Sequence, residues 1–200
     1  MISPEVKAQL QALVGDKWVL DRPADLYAYS YDATPMYQAM PDAVVFPASA
    51  QEVSGILQLA NTHQIPIITR GSGTNLAGST IPIQSGIVLN MNRMNQIHEI
   101  DTANLTATVG PGVVTANLHH AVEALGLFYP PDPGSMRIST IGGNIAQGAG
   151  GMRGLKYGVT KDYVMGLEYV LPSGEILRCG GKNVKDVAGY DMTLLLVGSE

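Results

Sequence analysis

Eight of the 23 glycines in this 200-residue chain fall between residues 134 and 158, at Gly134, Gly142, Gly143, Gly148, Gly150, Gly151, Gly154 and Gly158. A tight turn needs one or two. A run of this length thins the main chain over many residues, as is required where a flat, uncharged ring system lies against backbone. Glycine in the whole chain also exceeds its usual share of about 7%, without the three-residue period of collagen. Ile138, Ile141, Ile145, Met152 and Leu155 interleave with the glycines and give the segment apolar content that a flexible linker lacks. They argue against a flexible glycine-rich loop.

A second glycine-rich segment, Arg70-Gly71-Ser72-Gly73-Thr74-Asn75-Leu76-Ala77-Gly78, follows a predicted strand. Gly71 and Gly73 let the backbone turn and approach a ligand closely. Consecutive N–H groups, with the side chains of Ser72, Thr74 and Asn75, offer donors to an anion such as a pyrophosphate. The loop is not a P-loop, because no Gly-Lys-Ser/Thr follows. Nor is it a Rossmann fingerprint, because Leu76 stands in place of the third glycine and Pro82 prevents a helix from starting there. Taken alone, the same loop also reads as a plain tight turn.

Twelve Lys and Arg against 17 Asp and Glu leave a net charge of -5, which excludes a general electrostatic hold on nucleic acid or anionic lipid. Any anion must be bound by local groups. The single cysteine, Cys179, excludes an internal disulfide and a thiolate metal site and fits a reducing compartment; it reads as a small, half-buried packing residue. No metal site is expected. The N-terminal Met-Ile-Ser-Pro-Glu lacks the basic and apolar regions of a secretory leader, and no run of about 20 apolar residues marks a membrane span.

Apolar periodicity predicts a helix over 3–13, a mixed segment ending in the packing residues Tyr27, Tyr29 and Tyr31, a buried strand at 43–46, and a helix beginning at a Ser49/Glu52 capping box. A strand over 65–69 completes a βαβ unit, which implies a parallel pair. Further strands are predicted at 86–90, 96–101 and 105–109, a helix over 115–125, and a hairpin of 163–171 with 175–179 around Pro172-Ser173-Gly174. The resulting fold class is α+β in two lobes. A helical and irregular segment occupies 1–40, a small βαβ lobe 41–95, and a larger, mainly antiparallel lobe 96–200. The apolar run Leu194–Val197, with only Gly198-Ser199-Glu200 after it, reads as an end inside a fold.

Five ordered motifs resemble one superfamily. They are the Arg70–Gly78 loop; Pro130-Pro131-Asp132-Pro133-Gly134-Ser135; Thr140-Ile141-Gly142-Gly143-Asn144; Gly158-Val159-Thr160-Lys161-Asp162-Tyr163-Val164; and Lys185-Asp186-Val187-Ala188-Gly189-Tyr190-Asp191. Together they are similar to the PCMH-type FAD-binding domain of the vanillyl-alcohol oxidase/p-cresol methylhydroxylase flavoproteins, and within these to the glycolate oxidase D-subunit and D-lactate dehydrogenase group.

The resemblance implies FAD in a cleft between the lobes. Arg70, Gly71, Ser72, Gly73, Thr74, Asn75, Gly78 and Ser79 would surround its pyrophosphate. Pro131, Asp132, Pro133, Gly134, Ser135, Thr140, Gly142, Gly143 and Asn144 would line the flavin and adjoining phosphate, and Gly148, Gly151, Gly158 and Val159 would approach the rest of the dinucleotide. Residues 185–191 would brace the flavin lobe. Relatives that attach FAD covalently through this loop carry a His where this chain has Thr74, so the cofactor is expected to be non-covalent.

The resemblance further implies oxidation of a small D-2-hydroxy acid, with electrons passing to a quinone, a cytochrome or a partner subunit. The place implied is the cytoplasm, or the inner face of a membrane reached through partner subunits. The family's His-rich catalytic motif has no counterpart here, and no catalytic residue is nominated. His63, His98, His119 and His120 fall outside the motifs and read as surface or core residues. A non-catalytic flavin-binding accessory subunit shares the same motifs, and a glycine-rich structural protein without cofactor is a third class.

Overall fold

A computed structural model describes residues 2–200, which divide into two compact units. The first comprises the chain up to Arg93 together with Tyr169–Leu177, and the second Met94–Glu168 with Arg178–Glu200.

In the first unit, α1 (Pro4–Val14) starts where Ser3 Oγ accepts the Val6 N–H at 3.2 Å, with Pro4 in the first turn. It buries Val6, Leu10 and Val14 on one face and packs against α3. A short strand β1 (Val19–Leu20) and helix α2 (Pro23–Leu26) precede β2 (Ala43–Val45), α3 (Ala50–His63), β3 (Ile67–Arg70) and β4 (Ile87–Asn90). The Ser49 cap on α3 forms as the sequence predicts: its Oγ accepts the Glu52 N–H at 3.2 Å, while the Glu52 carboxylate reaches back to the Ala48 N–H at 2.7 Å.

The four strands lie in the order β1-β2-β4-β3, with β1 antiparallel and the others parallel. The βαβ unit is therefore present, but β2 and β3 are not neighbours; β4 lies between them, with Val44 and Ile68 both in register with Val88. The physical reason is burial. Every residue of β4 is buried, whereas β3 is largely half-exposed, and a continuous apolar strand gains most at the centre of a parallel sheet. Leu26, Val44 and Val88 form a core packed by Leu20, Tyr29, Phe46 and Ile68. Of the three tyrosines expected to pack, Tyr29 does so against Phe46, while Tyr27 and Tyr31 are exposed.

In the second unit, β5 (Ile97–Asp101) and β6 (Thr106–Val109) form the expected antiparallel hairpin. Helices α4 (Thr115–Glu123), α5 (Ile141–Gln147) and α6 (Gly154–Tyr157) follow, then strands β7 (Gly166–Val170) and β8 (Ile176–Gly180), and helix α7 (Met192–Leu196). The tip of the β7–β8 hairpin belongs to the first unit. There Ser54 Oγ donates to the Gly174 carbonyl and Asn61 Nδ2 to that of Pro172, each at 2.5 Å.

Val113, Leu118, Val122 and Ile141 form the core of the second unit, each contributing about 1.5 to 3 kcal/mol by burial. Of the apolar residues interleaved with the glycines, Ile141 is buried there and Ile145 packs against it. Ile138, Met152 and Leu155 are exposed. Their spacing matches no face of the two short helices that the segment forms.

Candidate cofactor site

Strands β3 and β4 end side by side, Arg70 in register with Asn90, so the loop after β3 leaves from the carboxyl edge of a parallel sheet, where such sheets bind ligands. Asn90, almost wholly buried, anchors the start of the loop by donating from Nδ2 to the Gly71 carbonyl at 3.3 Å. Gly73 has φ +66°, and a Cβ there would stand 2.2 Å from Arg70 Nη2, so a side chain at this position needs both a left-handed backbone and a displaced guanidinium. The guanidinium of Arg70 thus lies under the loop rather than beyond it. It is 6% exposed, donates to the Tyr31 carbonyl at 2.8 Å and to Thr80 Oγ1 at 3.3 Å, and lies 5.7 Å from the Tyr29 ring centre.

Burial lowers the pKa of Arg70, with the charge of Asp32 acting against that shift. For Asp32, burial pushes the pKa up, but hydrogen bonds from Thr34, Thr80 and Asn75 outweigh it and hold the carboxyl below its ordinary range.

Arg70 and Asn75 turn inward to Thr80, and the loop keeps main-chain donors unspent. The N–H groups of Ser72, Gly73, Thr74, Asn75 and Leu76 donate to no other group among the described residues; the next, Ala77 N–H, is held by Asn75 Oδ1 at 3.0 Å. Five successive unpaired donors around a glycine of positive φ form a cradle for an anion. This fits the pyrophosphate of FAD. Gly78 and Ser79 continue the loop, with the Gly78 carbonyl accepting the Ile81 N–H at 3.1 Å.

The second glycine-rich segment is built differently. Thr140 caps α5, its Oγ1 accepting the Gly143 N–H at 3.3 Å. The N–H of Ile141 donates to the Val113 carbonyl and that of Gly142 to Pro111, both at 2.8 Å. Asn144 Nδ2 donates to Thr115 Oγ1 at 2.7 Å, and Thr115 in turn bonds Ser139 at 3.0 Å. Thr140, Gly142, Gly143 and Asn144 therefore sit on a short helix rather than in a flat strip, with these donors spent inside the protein.

Pro131–Ser135 is brought against Gly150–Arg153. Asp132, 8% exposed, accepts the Arg153 N–H at 3.0 Å and lies 3.5 Å from its Nε. A Cβ on Gly151 would fall 2.2 Å from both the Asp132 carbonyl and its Oδ1. The N–H groups of Gly134, Ser135, Gly150 and Gly151 have no partner among the described residues. Gly148 closes α5 and Gly158 closes α6. Val159 packs its Cγ1 on Gly150 and Gly154 and gives its N–H to Asp162 at 2.7 Å.

His119 is a core residue, one of the two readings the sequence allowed, and it also touches the second motif. It is 3% exposed on α4, and its Nε2 lies 2.9 Å from the Pro131 carbonyl; because a carbonyl only accepts, Nε2 carries the proton. Its ring meets Tyr129 edge-on at 5.4 Å, and burial, with a smaller contribution from Tyr163, pushes the Tyr129 phenol up to about 12. The His119 signal was one residue of a helical face, indistinguishable in sequence from core. Residues 185–191 are exposed throughout, Tyr190 at 94%, and the last of them, Asp191, caps α7 by accepting the Leu194 N–H at 2.9 Å. Cys179 is half-buried as expected, 3.5 Å from Thr193 Oγ1. No cluster that would hold a metal and no helix long and apolar enough to cross a membrane occurs among the described residues.

A mixed sheet whose carboxyl edge opens into a backbone anion cradle defines a domain that binds a phosphorylated cofactor. The chain belongs to the FAD binding domain family, which matches residues 41–180, and its cofactor is FAD. It is 60% identical over 200 residues to the glycolate oxidase subunit GlcD of Bacillus subtilis, covering all of this chain and 43% of that protein. It is 45% identical over 177 residues to a D-lactate dehydrogenase of Archaeoglobus fulgidus, covering 86% of this chain and 40% of the other.

Among solved structures, alkyldihydroxyacetonephosphate synthase superposes with TM-score 0.86 at 25% identity, over 100% of this chain and 41% of that one. Substrate-bound p-cresol methylhydroxylase does so with TM-score 0.72 at 28% identity, over 88% and 35%. The chain spans less than half the length of these relatives.

Proposed function

We propose that this chain is the FAD-holding part of a flavin-dependent oxidoreductase that converts a small D-2-hydroxy acid, of the glycolate or D-lactate kind, to the 2-oxo acid. The observation that carries the reading is the row of five unpaired N–H donors from Ser72 to Leu76, taken with the similarity to proteins named glycolate oxidase subunit and D-lactate dehydrogenase. Gly71–Asn75, Gly78 and Ser79 hold the pyrophosphate. Charge-assisted hydrogen bonds from main chain need no rearrangement on binding. Pro131–Ser135, with the free N–H groups of Gly134, Ser135, Gly150 and Gly151, meets other parts of the cofactor.

The bound FAD supplies a two-electron acceptor; the protein's part is to hold and orient it. The substrate carbon gives up a hydride and the substrate hydroxyl a proton to a base. Two groups beside the second motif are unsuited to be that base: His119 Nε2–H is committed to the Pro131 carbonyl, and Tyr129 stays protonated at ordinary pH. The partners we assign are the hydroxy acid and an electron acceptor, a quinone, a cytochrome or a companion subunit, with the protein at work in the cytoplasm or on the inner membrane face.

With Thr74 in the loop, attachment is non-covalent, and acid precipitation is expected to release all the flavin; colour remaining on the precipitate contradicts this. The activity is tested by anaerobic mixing with glycolate or D-lactate. A form as long as the relatives bleaches its flavin, whereas the 200-residue chain does not; failure of the long form with both acids rejects the reading.

A further inference from the structure

The hydroxyl of Thr80 is the meeting point of three side chains. It donates to Asp32 Oδ2 at 3.2 Å and accepts from Arg70 Nη1 at 3.3 Å and from Asn75 Nδ2 at 3.2 Å. One O–H and two lone pairs are thereby all used. The direction of each bond is forced, since a carboxylate only accepts and a guanidinium only donates. Asp32, Arg70 and Thr80 are all buried. The second Asp32 oxygen accepts the Thr34 N–H at 2.8 Å, and Ala33 N–H donates to the Gly73 carbonyl at 3.1 Å. The loop is thus tied at its start by Arg70, in its middle by the Gly73 carbonyl and at its rim by Asn75. All three ties lead to Tyr31–Thr34 or to Thr80, and Tyr31–Thr34 lies ahead of the residues that the family matches.

We propose that Asp32 and Thr80 are positioning residues of the pyrophosphate site, holding the Ser72–Leu76 amides in their donating conformation before FAD arrives. This rests on the assignment of that loop to the pyrophosphate. Preorganisation of this kind appears as ligand affinity, because the cost of ordering the loop is met in folding. Thr80→Val keeps the shape of the side chain and removes only the hydroxyl, so the three bonds that meet on it are lost together, while Arg70 keeps the Tyr31 carbonyl. Thr80→Ser restores all three bonds.

The experiment titrates the full-length apoprotein with FAD, and separately with ADP, which carries the pyrophosphate but no flavin. For Thr80→Val the expected result is weaker binding of both ligands by about ten-fold or more, with Thr80→Ser within about three-fold of the original. A lowered apoprotein Tm with FAD and ADP affinities unchanged makes the network purely structural and overturns the inference. If Thr80→Val does not fold, Asp32→Asn, which keeps the size and the acceptor for Thr34, decides on the same two affinities: ten-fold weakening supports the proposal and no change overturns it. Gly73→Asp separates the two levels. If it leaves FAD binding intact, the loop assignment itself fails; if it abolishes FAD binding while Thr80→Val changes nothing, only the present inference fails.

Discussion

The two glycine-rich segments look alike in sequence and spend their hydrogen-bonding groups in opposite ways. After β3, side chains bond inward to one another through Thr80, and five consecutive main-chain donors are left without partners among the described residues. Around α5, the donors of Ile141, Gly142 and Gly143 are consumed by Val113, Pro111 and Thr140, and Asn144 is tied to Thr115. Glycine content reports only that backbone approaches something closely. In the first segment that is a buried guanidinium with a ligand cradle above it, and in the second it is the protein's own neighbouring chain.

Substitutions at equivalent-looking glycines should therefore separate binding from stability. The largest effect is expected for Gly73→Asp, which drives a side chain into Arg70 and a negative charge into the anion cradle. FAD affinity should fall at least about 100-fold, since several charge-assisted hydrogen bonds are lost together. Equilibrium dialysis against FAD measures it, and wild-type retention would reduce the loop to a simple turn.

Gly151→Ala should act on the fold before it acts on binding. Its methyl group meets the Asp132 carbonyl and carboxylate at 2.2 Å, and the forced backbone shift is expected to cost about 3 kcal/mol, read from urea unfolding. A variant as stable as the parent would show that Pro131–Ser135 and Gly150–Arg153 are not held together as described.

Thr140→Ala removes the cap of α5 and one tie of the second segment, for a loss of about 1 kcal/mol. A ten-fold loss of FAD affinity without that loss of stability would make α5 a binding element and erase the contrast.

How much of this was legible beforehand follows from how local each feature is. The Ser49 cap, the β5–β6 and β7–β8 hairpins and the strand before Arg70 depend on neighbours within a few residues, and periodicity with turn residues gave them within two or three positions. The order β1-β2-β4-β3 was not legible, because it depends on which strand is most buried once all are assembled. The cradle's donors were foreseeable from Gly71 and Gly73. Its support was not: Asp32 and Thr80 are 48 residues apart, and neither is unusual for its neighbourhood. The same holds for His119, whose bond to Pro131 exists only in the folded unit. Conversely, the motif at 185–191 was conspicuous in sequence and is exposed in the structure.

The central claim, that main chain from Ser72 to Leu76 receives the cofactor's pyrophosphate, is tested most directly by hydrogen–deuterium exchange read by mass spectrometry with and without FAD. The account predicts that peptides covering 71–77 become protected on binding and that ADP alone reproduces this protection, while peptides covering 185–191 are unchanged. Full exchange at 71–77 in the FAD-saturated protein would contradict it.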